Sequence, residues 1–264
     1  MNKELLTLLE LAKQAAAAGA AVHLQAIETG RFSIDTKASA ADLVTEIDRA
    51  AEQQIVSVIR AARPNDGILG EEGTNEAGST GVRWILDPLD GTTNFVHRYP
   101  AHAVAVGVEL DGRRALGIVQ DTFNQCVYAG IVGQGATCDG QPIAVRQEQR
   151  LARALVGTGF LPIVAVRRKQ AEVLGEILPL VRDIRRSGCP SLDICHVAAG
   201  ALDAFYEFGL GPWDIAPAAA IAEAAGATVH LLYSDILPNP LLIVANADLA
   251  AALIAPLAEA KIIS

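Results

Sequence analysis

Trp84-Ile85-Leu86-Asp87-Pro88-Leu89-Asp90-Gly91-Thr92-Thr93-Asn94-Phe95 carries an apolar run straight into two carboxylates, a glycine and two hydroxyls. The apolar run predicts a buried strand ending at Asp87, after which Pro88 and Gly91 force a turn. Two aspartates at the mouth of a strand are hard oxygen ligands, suited to Mg²⁺, which keeps waters and phosphate oxygens in its shell. Backbone N–H groups at Gly91 and Thr92, where a helix opens, suit a phosphate anion. The stretch points to metal-dependent phosphoryl chemistry.

Outward from it, helical spacing predicts a first helix from Lys3 to Glu28 and a second from Glu46 to Ala62, stopped by Pro64-Asn65-Asp66-Gly67. Ile68-Leu69 is a short strand that delivers Gly70-Glu71-Glu72-Gly73. Downstream, Val104 to Leu110, Ala115 to Gln120 and Gln125 to Val132 read as antiparallel strands, with turns at Asp111-Gly112 and Asp139-Gly140. From about Arg146 the pattern changes to alternating strand and helix. Strands are expected at Ala154 to Thr158, Ala204 to Phe208 and Leu241 to Ala245. Helices are expected at Ala165 to Val181, Ser191 to Ala199, Pro212 to Ala225 and Asp248 to Ala258. The chain thus divides into an α+β half, residues 1–146, and an α/β half, residues 147–264. With no linker-like composition between them, the halves are expected to form one unit.

Composition narrows the classes. The 264 residues are 51% apolar, ample for a core, and the net charge of −9 argues against a general nucleic-acid surface. The basic runs Arg113-Arg114, Arg167-Arg168-Lys169 and Arg185-Arg186 read as solvated faces. Cys126, Cys138, Cys189 and Cys195 lack C-x-x-C spacing, which indicates neither zinc nor a redox pair and suits reduced thiols in a cytoplasm. Glu4, Glu10 and Lys13 interrupt any signal-peptide core, and no window reads as long enough in uninterrupted apolar residues to span a bilayer.

Four segments bring carboxylates to the ends of regular structure: Glu71-Glu72, Asp87 with Asp90, Asp214 after Trp213, and Asp48. Singly, each has a plain reading as a turn cap, a helix-start charge or a solvated loop. Their conjunction with Gly91-Thr92-Thr93 favours a metal site. The Asp-x-x-Asp spacing differs from the Asp-x-Asp of phosphatases with a covalent aspartyl nucleophile, and the ligand spacing of an EF-hand loop is missing. His97 and His102 read as structural, His196 as core or interface, and Trp84 and Trp213 as packing anchors.

With these residues in view, Trp84 to Phe95 resembles the first signature of the inositol monophosphatase family. Trp213-Asp214-Ile215-Ala216-Pro217-Ala218-Ala219-Ala220 with Glu223-Ala224-Ala225-Gly226 resembles its second. Lys37, Ala41-Asp42-Leu43-Val44-Thr45-Glu46-Ile47-Asp48 and Gly70-Glu71-Glu72-Gly73 match in order, so the similarity reaches to about Gly226. The resemblance implies a layered αβαβα sugar-phosphatase fold, a cytoplasmic homodimer, and a lithium-sensitive, Mg²⁺-dependent phosphomonoesterase acting on inositol 1-phosphate or a similar polyol or sugar phosphate. It implies one Mg²⁺ held by Glu71, Asp87 and the Leu89 carbonyl, a second by Asp87, Asp90 and Asp214, and a weaker third beside Glu71. Glu71 and the Thr92 hydroxyl, with Asp48 bonded to Thr92, would orient a metal-activated water. Gly91 and Thr92 would hold the phosphate, while Asp90, Asp214, Glu207 and the backbone of Gly188-Cys189-Pro190 would face the alcohol.

Two departures bear on specificity. Pro190 lacks a backbone N–H where a contact is expected, and His230 to Pro238 matches the family turn poorly. Fructose-1,6-bisphosphatase or NADP(H) phosphatase activity on the same site remains an alternative, as does a regulatory member associated with transcription or RNA. Retention of every acidic ligand favours catalysis.

Overall fold

The computed structural model describes residues 3–30, 33–36, 43–233, 240–260 and 262–263. In chain order the first elements are α1 (Lys3–Thr29), β1 (Ile34–Thr36), β2 (Leu43–Thr45), α2 (Glu46–Ala62), β3 (Gly67–Gly70), β4 (Asn75–Glu76), β5 (Val82–Asp90) and α3 (Thr92–His97). Then come β6 (Ala103–Leu110), β7 (Arg113–Asp121), β8 (Cys126–Ile131), β9 (Gly135–Cys138), β10 (Gln141–Ile143), β11 (Leu155–Thr158), α4 (Val164–Ile177) and β12 (Asp183–Arg185). The chain closes with α5 (Pro190–Ala198), β13 (Ala204–Phe208), α6 (Pro212–Ala224), β14 (Thr228–Leu232), β15 (Leu241–Ala245) and α7 (Ala247–Glu259).

Strands β10-β9-β8-β7-β6-β5-β3-β4 form an eight-stranded sheet and β12-β11-β13-β15-β14 a five-stranded one. Strand periodicity of two sorts their side chains into layers. On β6, Val104, Val106 and Val108 meet Leu8, Ala12, Ala16, Ile55 and Ile59 of α1 and α2. Ala103 and Ala105 point the other way, into a core built with Leu192 of α5, Ile221 of α6, and Phe205 and Leu242 of the second sheet. Beyond that sheet, Tyr206, Phe208 and Ile243 pack on Val173 and Ile177 of α4 and Leu249 and Leu253 of α7. The succession is helix, sheet, helix, sheet, helix, as the resemblance implies.

The middle layer sits unusually close to the first sheet. A Cβ on Gly117 would stand 1.9 Å from the Pro217 carbonyl oxygen, and one on Gly107 3.0 Å from the Pro217 nitrogen. Those glycines admit α6 at the one place where Pro217, lacking an N–H, already breaks its hydrogen-bond ladder.

Several sequence expectations change. The helix expected to reach Val181 ends at Ile177, followed by a 3₁₀ turn over Leu178–Leu180 that contains Pro179. β9 and β10 flank the expected hairpin turn at Asp139-Gly140; β1, β2, β4, β12 and β14 have no counterpart in the sequence reading, and all are short. Contrary to the sequence reading of the N-terminus, α1 is long and apolar enough by length and composition to cross a membrane. Its alanines raise its hydropathy, but nine of its residues, Leu8 to Ala26, are buried within the fold. Lys37, Ala41, Asp42 and the segment Ser234 to Pro238 lie outside the described residues.

Candidate metal centre and active site

β5 lies between β3, parallel to it, and β6, antiparallel, so both its faces are covered and only Arg83 is exposed. The strand does not end at Asp87. It runs to Asp90, and its ladder with β6 shifts between Asp87 and Asp90, where Pro88 has no N–H to give. The expected turn is therefore a bulge inside a strand, and it presents both aspartates at one place. Gly91 follows with φ of 87°; a Cβ there would stand 2.7 Å from the Ala101 carbonyl oxygen. Only glycine opens α3 at this point.

Ligand oxygens of Asp87, Asp90 and Asp214 lie within 4.8 Å of one another. Asp214 comes from the second half of the chain, in the first turn of α6, where Gly211 N–H donates to its Oδ2 at 2.6 Å. Asp90 Oδ2 accepts from Ser191 N at 2.7 Å, Ser191 Oγ at 2.5 Å and Cys189 Sγ at 3.1 Å. Asp87 Oδ1 accepts from Leu89 N at 3.1 Å. Each aspartate is thus anchored by hydrogen bonds from the backbone or a neighbouring side chain, and Asp87 also bonds Glu71 and Asp214 within the cluster. Pro190 itself donates nothing; it opens α5, and the next N–H, that of Ser191, goes to Asp90. The Cys189 side chain, whose backbone the resemblance places near the alcohol, is buried with its thiol on Asp90.

The electrostatics are those of uncompensated negative charge. Burial pushes the Asp87 carboxyl well above the usual range, and Glu71, Asp90 and Asp214 push it further. Burial raises Asp90 to about 6, against the bonds from Ser191 and Cys189. Asp214 is raised by burial and then by Asp90 and Glu71. Among the described residues no basic side chain forms an ion pair with these three aspartates. An all-oxygen, anionic, buried donor set of this kind fits a hard divalent cation.

The remaining expected residues converge here. Thr92 Oγ1 lies 2.9 Å from Asp48 Oδ1 and 3.0 Å from the Leu89 carbonyl. Asp48 is fixed by a capping box at the start of α2, accepting from Thr45 N at 2.7 Å and Thr45 Oγ1 at 2.6 Å. Glu207, on the same face of β13 as Phe205, is buried with its carboxylate against Gly159. Burial, then Asp214 and Asp90, raises it well above the usual carboxyl range, and Arg186 opposes them. His97 and His102 are not drawn into the aspartate group.

Three supports escaped the sequence reading. Glu52, one turn after Asp48 on α2, accepts from Glu72 N at 2.8 Å, Thr74 N at 3.0 Å and Thr74 Oγ1 at 2.7 Å, and so holds the loop that carries Glu71. Its i, i+4 spacing from Asp48 was a usable signal. Ser191 had none. His23 Nε2 donates to the Pro88 carbonyl at 2.9 Å, and its Nδ1 lies 3.3 Å from Thr122 Oγ1, whose hydroxyl donates to the His102 carbonyl at 3.2 Å. His102 Nδ1 lies 2.5 Å from the same Thr122 Oγ1. A buried relay thereby supports the bulge from beneath.

The family model for the inositol monophosphatase family matches residues 4–262. The chain belongs to the inositol monophosphatase family. It is 43% identical over 211 residues to the inositol-1-monophosphatase SuhB of Mycobacterium tuberculosis, spanning 76% of this chain and 73% of that one. It is 39% identical to the Nus factor SuhB of Pseudomonas aeruginosa, over 84% of each. The solved structure of the extragenic suppressor protein suhB from Bartonella henselae superposes with a TM-score of 0.88 at 30% identity, covering 95% of this chain and 98% of that one. The inositol monophosphatase family is a family of metal-dependent phosphoric monoester hydrolases, and this chain is an enzyme of that class with its layered fold.

Proposed function

We propose that this enzyme hydrolyses inositol 1-phosphate, with Mg²⁺ as its metal, and that the reaction takes place over the Asp87–Asp90–Asp214 cluster. The observation that supports this most is that cluster itself: three aspartates, two of them fully buried, with ligand oxygens within 4.8 Å of one another, brought together from β5 and α6.

Glu71, Asp87, Asp90, Asp214 and the Leu89 carbonyl are the proposed ligands. Bound Mg²⁺ supplies charge neutralisation of the phosphate and acidification of a water. The chain's own groups do the rest. Thr92 Oγ1, oriented by Asp48 Oδ1, and the Glu71 carboxylate hold and direct the attacking water. Gly91 and Thr92 N–H groups at the start of α3 hold phosphate oxygens. Glu207 and Asp214, with the backbone around Gly188, receive the alcohol's hydroxyls. In this reading water is the nucleophile, and no side chain is assigned a bond to phosphorus.

Inhibition by Li⁺, a homodimer and a cytoplasmic location belong to the same proposal. The relative named a Nus factor supports a second reading, a role in transcription. The intact aspartate cluster favours catalysis as the primary one.

The test is hydrolysis of a panel of phosphate monoesters by the wild type and by Asp214→Asn, alongside calorimetric titration of Mg²⁺ into each. Inositol 1-phosphate is expected as a good substrate, with turnover and Mg²⁺ binding both lost in the variant. Mg²⁺ binding of unchanged affinity to Asp214→Asn would refute the ligand assignment.

A further inference from the structure

α4 carries one buried residue that its packing does not explain. Its inner face is apolar at Val166, Val173 and Ile177, at helical spacing, yet Gln170 stands among them at 3% exposure. Gln170 Nε2 is one of four buried side-chain polar atoms without a hydrogen-bond partner among the described residues. A leucine would fill the same face and leave no amide donor unpaired. What the amide does have is a single bond: its Oε1 accepts from Leu161 N at 3.0 Å. One turn earlier, Arg167 Nε donates to the Leu161 carbonyl at 2.8 Å. α4 thus holds both backbone polar groups of one residue in the connection that enters it from β11.

That connection bears on the alcohol side of the site at two points. Gly159 is buried against Glu207, and a Cβ there would collide with Glu207 Oε2. The Leu161 side chain lies over Gly209, two residues beyond Glu207, and a Cβ on Gly209 would collide with Leu161 Cδ1. Fixing Leu161 therefore fixes the backbone on both sides of Glu207. Asp214 is anchored separately, by Gly211 N–H at 2.6 Å. A carboxylate accepts a hydroxyl only over a narrow range of distance and direction, so a shift of this wall is felt as lost affinity for the alcohol.

We propose that Gln170, assisted by Arg167, is a specificity-determining positioning residue: through Leu161 it sets where Glu207 meets the hydroxyls of a polyol, and it acts on neither the metal nor the phosphate. The proposal rests on the reading in which Glu207 receives the alcohol. An amide retained in an apolar layer, half satisfied, is a local inconsistency of the kind that marks a functional demand.

The test measures kcat and KM in wild type, Gln170→Leu and Arg167→Met for two esters. One is inositol 1-phosphate; the other is p-nitrophenyl phosphate, whose alcohol has no further hydroxyl to offer Glu207. Gln170→Leu is expected to raise the inositol 1-phosphate KM about tenfold with kcat changed by no more than about twofold. Its kinetics on p-nitrophenyl phosphate and its Mg²⁺ concentration for half-maximal rate should stay at the wild-type values. Its urea midpoint should be at or above that of wild type, because leucine suits Val166, Val173 and Ile177. Arg167 is exposed, so Arg167→Met should fold, and it is expected to raise the same KM about threefold. An unchanged inositol 1-phosphate KM in Gln170→Leu, or equal losses on both esters, would overturn the positioning role and leave the phosphatase reading standing. If Gln170→Leu does not fold, the same outcomes in Arg167→Met decide. A wild type that hydrolyses neither ester in Mg²⁺ would overturn both readings.

Discussion

Asp90 shows how a single residue is divided between structure and chemistry. Its Oδ2 is held by Ser191 and Cys189, while its carboxylate joins Asp87 and Asp214 in the cluster. Removing the outward charge with Asp90→Asn should lower turnover by on the order of a hundredfold or more, whereas Ser191→Ala should weaken metal binding by about tenfold and leave residual turnover. Steady-state rates at several Mg²⁺ concentrations separate the two; equal losses would show that orientation and ligation cannot be told apart here. His23 gives a different test at the same scale. Burial first, then the neighbouring His102, drops its pKa from 6.5 to about 3. The unfolded chain therefore binds a proton between these values that the folded chain refuses. Stability is whole above pH 6.5 and falls as pH drops toward 3, by up to about 1.4 kcal/mol per pH unit from this group. In urea unfolding at pH 6.5 and pH 5, His23→Gln should show a smaller loss than wild type; an identical loss would contradict the assignment.

At the scale of elements, the centre depends on two close approaches. α6 delivers Asp214 because Gly107 and Gly117 let Pro217 settle on the sheet. Gly117→Ala, with its Cβ aimed at backbone, should cost about 1–3 kcal/mol in chemical denaturation, since neither partner can swing away. A variant as stable as wild type would mean that the layers adjust. The other approach is α2 to the loop carrying Glu71, fastened by Glu52. Glu52→Gln should raise the Mg²⁺ concentration for half-maximal rate several-fold, about 10-fold at most, by loosening that loop. The sequence showed both helices, the central strand and the two signatures, because long periodic runs and Gly/Pro punctuation are local signals. It did not show the bulge from Asp87 to Asp90. Pro88 marks a break, but whether a break becomes a turn or a bulge is decided by the neighbouring strand, β6. Nor did it show β14. Thr228–Leu232 is a half-exposed edge strand whose pairing with β15 is set by residues beyond position 240.

Across the whole molecule, the layered fold brings Asp48, Glu71, Asp87, Asp90, Thr92, Glu207 and Asp214 toward one mouth from five elements and the loop after β3. The list of these residues was legible from motifs, yet the supports were not. His23, Thr122 and Ser191 are ordinary residues in helices and turns, and only three-dimensional packing joins them to the bulge. Long-range partners of this kind leave no periodic trace. At every scale the proposed work of the aspartate cluster is to hold Mg²⁺ over a phosphate ester. The direct measurement is phosphate release from inositol 1-phosphate by chelator-treated enzyme, titrated with Mg²⁺. The account predicts no turnover without the ion, saturable recovery as it is restored, and no recovery in Asp90→Asn at any concentration the wild type needs. Full turnover in chelator, or an Asp90→Asn enzyme indistinguishable from wild type, would contradict it.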